Sequence, residues 1–189
     1  SDKIDLESIM RFTTSAWVDP FVAARMESQF LDLSDPALTR IVNPILFTET
    51  AGVVRTFVET EQNTFTTRLG AAFRENLNRD VMQPSGDREM VTTTDGGLEM
   101  VAEYKHNFTP LDANFQSRLQ VYEALFNSKS ADLNEDWKSP DVVWENVLNT
   151  KLWGMISANL SFEARYEKEA VHKLQWKQVL GLGISYSIM

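Results

Sequence analysis

The chain contains no cysteine, which excludes a disulfide scaffold and thiolate chemistry. It has no apolar run of the roughly 18 residues that a membrane-crossing helix requires. Its two histidines, His106 and His172, are far apart, and the oxygen-ligand order of an EF-hand is missing. No Gly-x-Ser-x-Gly element marks a nucleophile, and neither histidine can be paired with a serine from the sequence alone. The 18 Lys and Arg residues form no stripe against 27 Asp and Glu, and the net charge is −9, so nucleic acid is not an expected partner. These absences lead to the expectation of a protein that is not an enzyme and carries no cofactor and no metal. The loop residues Asp132, Asn134, Glu135 and Asp136 offer oxygen ligands of the kind calcium prefers, and an acidic solvated loop has the same composition.

What is present is alternation. From Ile156 to Glu167 the chain places Ile156, Ala158, Leu160, Phe162, Ala164 and Tyr166 on one side of a strand. Ser157, Asn159, Ser161, Glu163, Arg165 and Glu167 fall on the other. The run exceeds the soluble mode of about 5–6 residues and matches the roughly 9–11 that cross a bilayer at a tilt. Transmembrane strands need only every second residue to be apolar. A composition of 43% apolar and 24% charged residues is therefore compatible with either a soluble protein or an outer-membrane barrel.

Period-two patterning predicts nine strands. They are Ile4–Thr14, Phe21–Leu31, Phe47–Glu59, one around Phe65–Arg74, Leu98–Lys105, Phe115–Leu125, Trp144–Leu152, Ile156–Glu167 and Leu174–Ile188. The third is the least regular, since Glu49 and Arg55 share a face with Val53 and Phe57. Connections alternate in length. Those at Ser15–Pro20, Thr60–Thr64, Thr109–Ala113 and Trp153–Met155 are short, and those at Asp32–Leu46, Asn78–Gly97 and Asn127–Asp141 are long and rich in turn residues. Short periplasmic turns and long external loops are the habit of outer-membrane barrels.

Aromatic residues fit the same frame. Trp17, Phe108 and Trp153 lie at short-turn ends, and Trp144, Tyr166 and Trp176 toward long-loop ends, as two interfacial girdles would require. The opposite faces form a candidate lumen. It comprises Arg25 with Glu27, Arg68, Arg74, Glu99 with Glu103 and Lys105, and Arg118. Glu145 with Lys151, and Glu163 with Arg165 and Glu167, complete it. Mixed signs predict cross-strand pairs filling the interior, whereas a selective pore concentrates one sign.

The expectation is an all-β, antiparallel up-and-down transmembrane barrel forming one domain over residues 1–189. Outer-membrane lipid is its expected partner, together with other envelope proteins or a chain that completes the barrel. Its expected role is a structural or docking component of an envelope complex, with a passive channel for small polar solutes, and a soluble secreted or periplasmic β-protein, as the alternatives. No signal peptide opens the chain at Ser1, so a leader was removed or lies upstream. Single-chain bacterial barrels have an even strand number, so nine strands predict further strands before Ser1.

The segments Asp141-Val-Val-Trp-Glu-Asn-Val-Leu148, Ile156–Tyr166 and Gln175-Trp-Lys-Gln-Val-Leu-Gly-Leu-Gly-Ile-Ser-Tyr186 resemble the C-terminal end of a family of uncharacterised Gram-negative outer-membrane β-barrel proteins. Pro20-Phe-Val, Ser28-Gln-Phe30 and Asn43-Pro-Ile-Leu46 are similar to its middle part. That family is a domain of unknown function, so the resemblance implies location and fold and supplies no activity. The chain departs from it in lacking the N-terminal strands rich in Asn, Trp and Gly. It also ends in Met189, where many barrels end in Phe.

Overall fold

The computed structural model describes residues 3–129, 135–168 and 173–184. It is all-β. Nine strands form one antiparallel sheet: β1 (Lys3–Arg11), β2 (Asp19–Gln29), β5 (Ile45–Glu59), β6 (Asn63–Met82), β7 (Arg88–Phe108), β8 (Ala113–Asn127), β9 (Asp141–Trp153), β10 (Ile156–Tyr166) and β11 (Gln175–Ile184). Each strand pairs with its sequence neighbour in the sheet, so the sheet is a meander. Its order is open. Among the described residues β1 and β11 each have one neighbour, and the sheet is not closed into the expected barrel.

All nine expected strands are present, the stretch of the ninth from 185 to 188 lying outside the described residues, and their ends differ where alternation was a poor guide. The stretch Asn78–Gly97, expected as a loop, is largely strand, because β6 runs on to Met82 and β7 begins at Arg88. Ladder hydrogen bonds do not need an apolar side, so a segment can pair without an alternating signature. The expected loop Asp32–Leu46 holds a hairpin of its own, β3 (Leu31–Asp35) with β4 (Leu38–Ile41).

Short connections are held by their own side chains. Between β1 and β2, Asp19 accepts hydrogen bonds from the Thr14 backbone N–H at 2.7 Å and from Arg11 Nε at 2.7 Å. Between β5 and β6, the Thr60 hydroxyl accepts from the Asn63 N–H at 2.9 Å. The β9–β10 turn contains Gly154 at φ +52°, a conformation that favours glycine. That turn sets the register Leu160↔Leu148 and Asn159↔Asn149.

Contacts divide the chain into two compact units. One comprises Ser1–Val53, Gly70–Leu98 and Ala124–Lys138, and the other Val54–Leu69, Glu99–Glu123 and Ser139–Met189. Burial runs against the usual order, most clearly in the first unit, which holds ten of the buried polar or charged side chains. Among the described residues, twelve polar or charged side chains are buried against six apolar ones. Arg25 is 8% exposed, Arg68 5% and Glu99 8%, while Trp176 is 68% exposed, Leu180 69% and Leu182 74%. The buried apolar residues, Phe21, Val54, Ala72, Val101, Tyr122 and Ala124, lie among the buried polar ones.

The irregular third strand is accounted for by burial. On β5 the exposed side carries Phe47, Glu49, Ala51, Val53 and Phe57, and the buried side carries Thr48, Thr50 and Val54. Arg55 shares the first face and lies over the Phe57 ring at 5.2 Å.

Candidate functional site: the polar face

In the first unit the polar face is built around Arg25. Its Nε and Nη2 donate to Asp5 at 2.9 and 2.6 Å, and Glu27 lies 3.4 Å away. Lys3 bridges Asp5 and Glu27 at 3.1 and 3.0 Å. Register makes this possible, because Asp5 stands opposite Glu27 and Glu7 opposite Arg25. Arg74 meets Asp95 at 2.8 Å. Trp17 is exposed in the β1–β2 connection.

The same unit contains a polar latch that the sequence reading missed. The β3–β4 hairpin is tied to β6 through buried Asp32, Arg40 and Asn43. Arg40 pairs with Asp32 at 2.7 Å and donates to the Arg79 carbonyl at 2.7 Å. Asn43 Nδ2 donates to Asp32 at 2.7 Å and to Asn78 at 2.9 Å, and its Oδ1 accepts from the Arg79 N–H at 2.8 Å. Burial works against ionisation of Asp32, yet hydrogen bonds from Ser34 and Asn43 and the Arg40 charge bring its pKa down to about 2. Arg88 holds the Asp35 carboxyl below the usual carboxylate range through a hydrogen bond at 2.7 Å.

In the second unit, Glu103 lies 3.6 Å from both Arg68 and Arg118. Gln120 donates to Glu99 at 2.7 Å. Arg165 reaches Glu163 at 3.3 Å and Glu167 at 2.8 Å. Lys105 is exposed at the short-connection end of β7, and Lys151 pairs with Asp112 at 3.2 Å on the surface.

Register sorts this face into rows. Arg118, Glu145, Glu163 and Lys177 stand side by side across β8, β9, β10 and β11. Gln116, Val147, Ser161 and Val179 form the next row toward the short connections. Asn114, Asn149, Asn159 and Gly181 form the one after. Here Asn159 Nδ2 donates to Asn149 Oδ1 at 2.6 Å and Gln116 Nε2 to Asn114 Oδ1 at 2.9 Å, while Asn114 also donates to Asn107. A cavity of about 740 Å³ lies along this amide row. The sequence signal was weak because each asparagine occupies an ordinary polar position on its own strand. Only the register set by the turns puts them in line.

The apolar face of the second unit has rows of its own. Phe115, Leu148, Leu160 and Leu180 adjoin one another, and Trp144 and Trp176 flank Ala164. The Trp144 indole N–H donates to Ser117 at 3.0 Å, and its ring meets Phe162 edge-on with centroids 6.0 Å apart. Trp153 and Phe108 are at the short-connection ends of β9 and β7, and Tyr166 ends β10. Along β9, Trp144 and Trp153 are ~30 Å apart at the rise of an extended strand, which a tilt of about 40° reduces to ~23 Å.

His106 lies in an aromatic group at the end of β7, stacked on Tyr104 and edge-on to Phe108. Its Nδ1 and the Tyr104 hydroxyl both meet Asn63 Oδ1. No cluster of three or more potential metal-ligating residues exists among the described residues. His172, Asp132 and Asn134 lie outside the described residues, as does the side chain of Glu135, and Asp136 is in the short turn Glu135–Lys138. No protein-family model, curated protein or solved structure matches the chain.

Proposed function

We propose that this chain forms wall of an outer-membrane β-barrel and serves as a structural or docking component of the Gram-negative envelope, without catalytic activity. The observation that carries the reading is the inverted burial of the sheet. Apolar side chains sheltered from water are the main source of a soluble fold's stability, whereas here Leu180, Leu182 and Trp176 are exposed while Arg25 and Arg68 are covered. A bilayer supplies the missing apolar surroundings for one face, and paired charges suit the other. The Trp144 to Trp153 span is close to the apolar band of about 25 Å that such barrels present. The resemblance of the C-terminal strands to an uncharacterised outer-membrane family points the same way.

Nine antiparallel strands in succession make β1 and β11 run in the same direction, so an all-antiparallel closure takes an odd number of additional strands. Opposite charges paired across strands favour a filled interior over an open pore. The cavity beside the uncharged amide row favours the second reading, a passage for small polar solutes.

Membrane fractionation tests the proposal. The protein should stay in the pellet after carbonate washing and should migrate differently on gels with and without boiling. Release into the carbonate supernatant would overturn it. A stable open current in planar bilayers would replace the filled-wall reading with the channel.

A further inference from the structure

We propose that the amide row of the second unit is a binding site for a neutral oligosaccharide. Asn114, Asn149 and Asn159 are neighbours by register, and their row ends at Gly181, with Gly183 opposite Ser157 beside it. Each carboxamide has two donor hydrogens and two acceptor lone pairs. The ladder bond between Asn159 and Asn149 uses one donor and one acceptor, leaving Nδ2 of Asn149 and Oδ1 of Asn159 available to a ligand. A hydroxyl group is donor and acceptor at once, which is the complement of such a row.

Three further features select a sugar. The row repeats its polar pair at the interstrand spacing of about 4.8 Å, close to the advance of one pyranose along a β-linked chain. The cavity of about 740 Å³ falls within the range of ligand pockets. Its charged lining residues, Asp112 and Lys151, are paired with each other at 3.2 Å, so an ionic ligand meets no unbalanced charge.

Gly181 is what keeps the floor open. A Cβ there would meet Asn159 at 3.9 Å, which is ordinary contact, so packing alone does not demand glycine. Substitution at this position therefore fills the site without breaking the sheet.

Isothermal titration of the detergent-solubilised protein with chitotetraose and maltotetraose, and with tetra-alanine as the peptide control, tests the site. One or both sugars should bind with submillimolar affinity and the peptide should not. Asn149→Ala should weaken binding by about tenfold, the loss of roughly one net hydrogen bond. Gly181→Leu should abolish it, Gly181→Ala should weaken it, and Lys177→Gln in the charged row should leave it unchanged. Gly181→Ala and Asn149→Ser are the mild variants to use if a larger change disturbs the strand spectrum. No binding of either sugar, equal binding of the peptide, or unchanged affinity in Asn149→Ala and Gly181→Ala would overturn the assignment. Binding is read in detergent and membrane retention in washed membranes, so this site and the barrel reading can fail independently.

Discussion

The Arg25 guanidinium and the Asp5 carboxylate are joined side by side, Nε to Oδ1 and Nη2 to Oδ2, across the β1–β2 pair. Arg25 is buried, and Glu27 also lies within 3.4 Å of it. Removing the guanidinium leaves Asp5 and Glu27 with Lys3 alone as their shared cation. Arg25→Ala should destabilise the folded protein by about 1–2 kcal/mol, because the Asp5 carboxylate left behind is partly solvated and keeps Lys3. Arg25→Lys should lose less, because it keeps the charge and forfeits the two-pronged geometry. Urea titration in micelles measures both, and equal losses would show that charge contributes little there.

Two glycines should respond differently to the same added methyl. A Cβ at Gly70 would come within 2.7 Å of the Ala51 carbonyl oxygen, and one at Gly96 within 2.4 Å of the Phe126 ring. Backbone cannot step aside, whereas a ring can be shortened. Gly70→Ala and Gly96→Ala should each cost about 1–3 kcal/mol. Phe126→Leu should recover part of the second loss and none of the first. Recovery of both by that change would show a general loosening instead of a local clash.

The hairpin latch should open in acid. The Asp32 pKa is lowered from 3.8 to about 2 in the folded state, so its contribution is present above the unfolded value and is lost as pH falls through about 2. Protease cutting near the β3–β4 tip should therefore be slow at pH 5 and rise on moving from pH 4 toward pH 2. Asp32→Asn should be cut readily at every pH in that range. Acid-independent protection would show that Asn43 holds the hairpin without Asp32.

Leu160 separates the two environments. It lies between Leu148 and Leu180 on the exposed apolar face, while Ser161 next to it lies between Val147 and Val179 on the polar face. In lipid, Leu160→Arg should cost about 2–4 kcal/mol, and Ser161→Arg markedly less. In water the order would reverse, since a charge on an exposed face is well solvated. Refolding titrations of both variants into vesicles read the difference.

Much of this architecture was legible because alternation reports which residues share a face. Ile156–Glu167 reads as a strand with no further information, and β10 occupies all of that range but its last residue. Alternation says nothing of who stands beside whom, so the amide row and the charged row of Arg118, Glu145, Glu163 and Lys177 had to come from register. It also fails where the buried positions are polar, as at Asp32 and Arg40, which is why the β3–β4 hairpin reads as loop. The Asp32, Arg40 and Asn43 latch escaped notice for a related reason. Its parts are ordinary turn residues in sequence and become a buried unit only when the hairpin docks beside Asn78 and Arg79.

The meander order has a consequence for how the sheet is made. Every strand of it finds its partner next along the chain, so no long segment must be brought back to close a contact. Assembly can advance one hairpin at a time, each new strand docking on the edge left by the last. At every stage two edges are open to the wrong partner, that of β1 and the growing one, and the chain's own next strand is the nearest competitor for the latter.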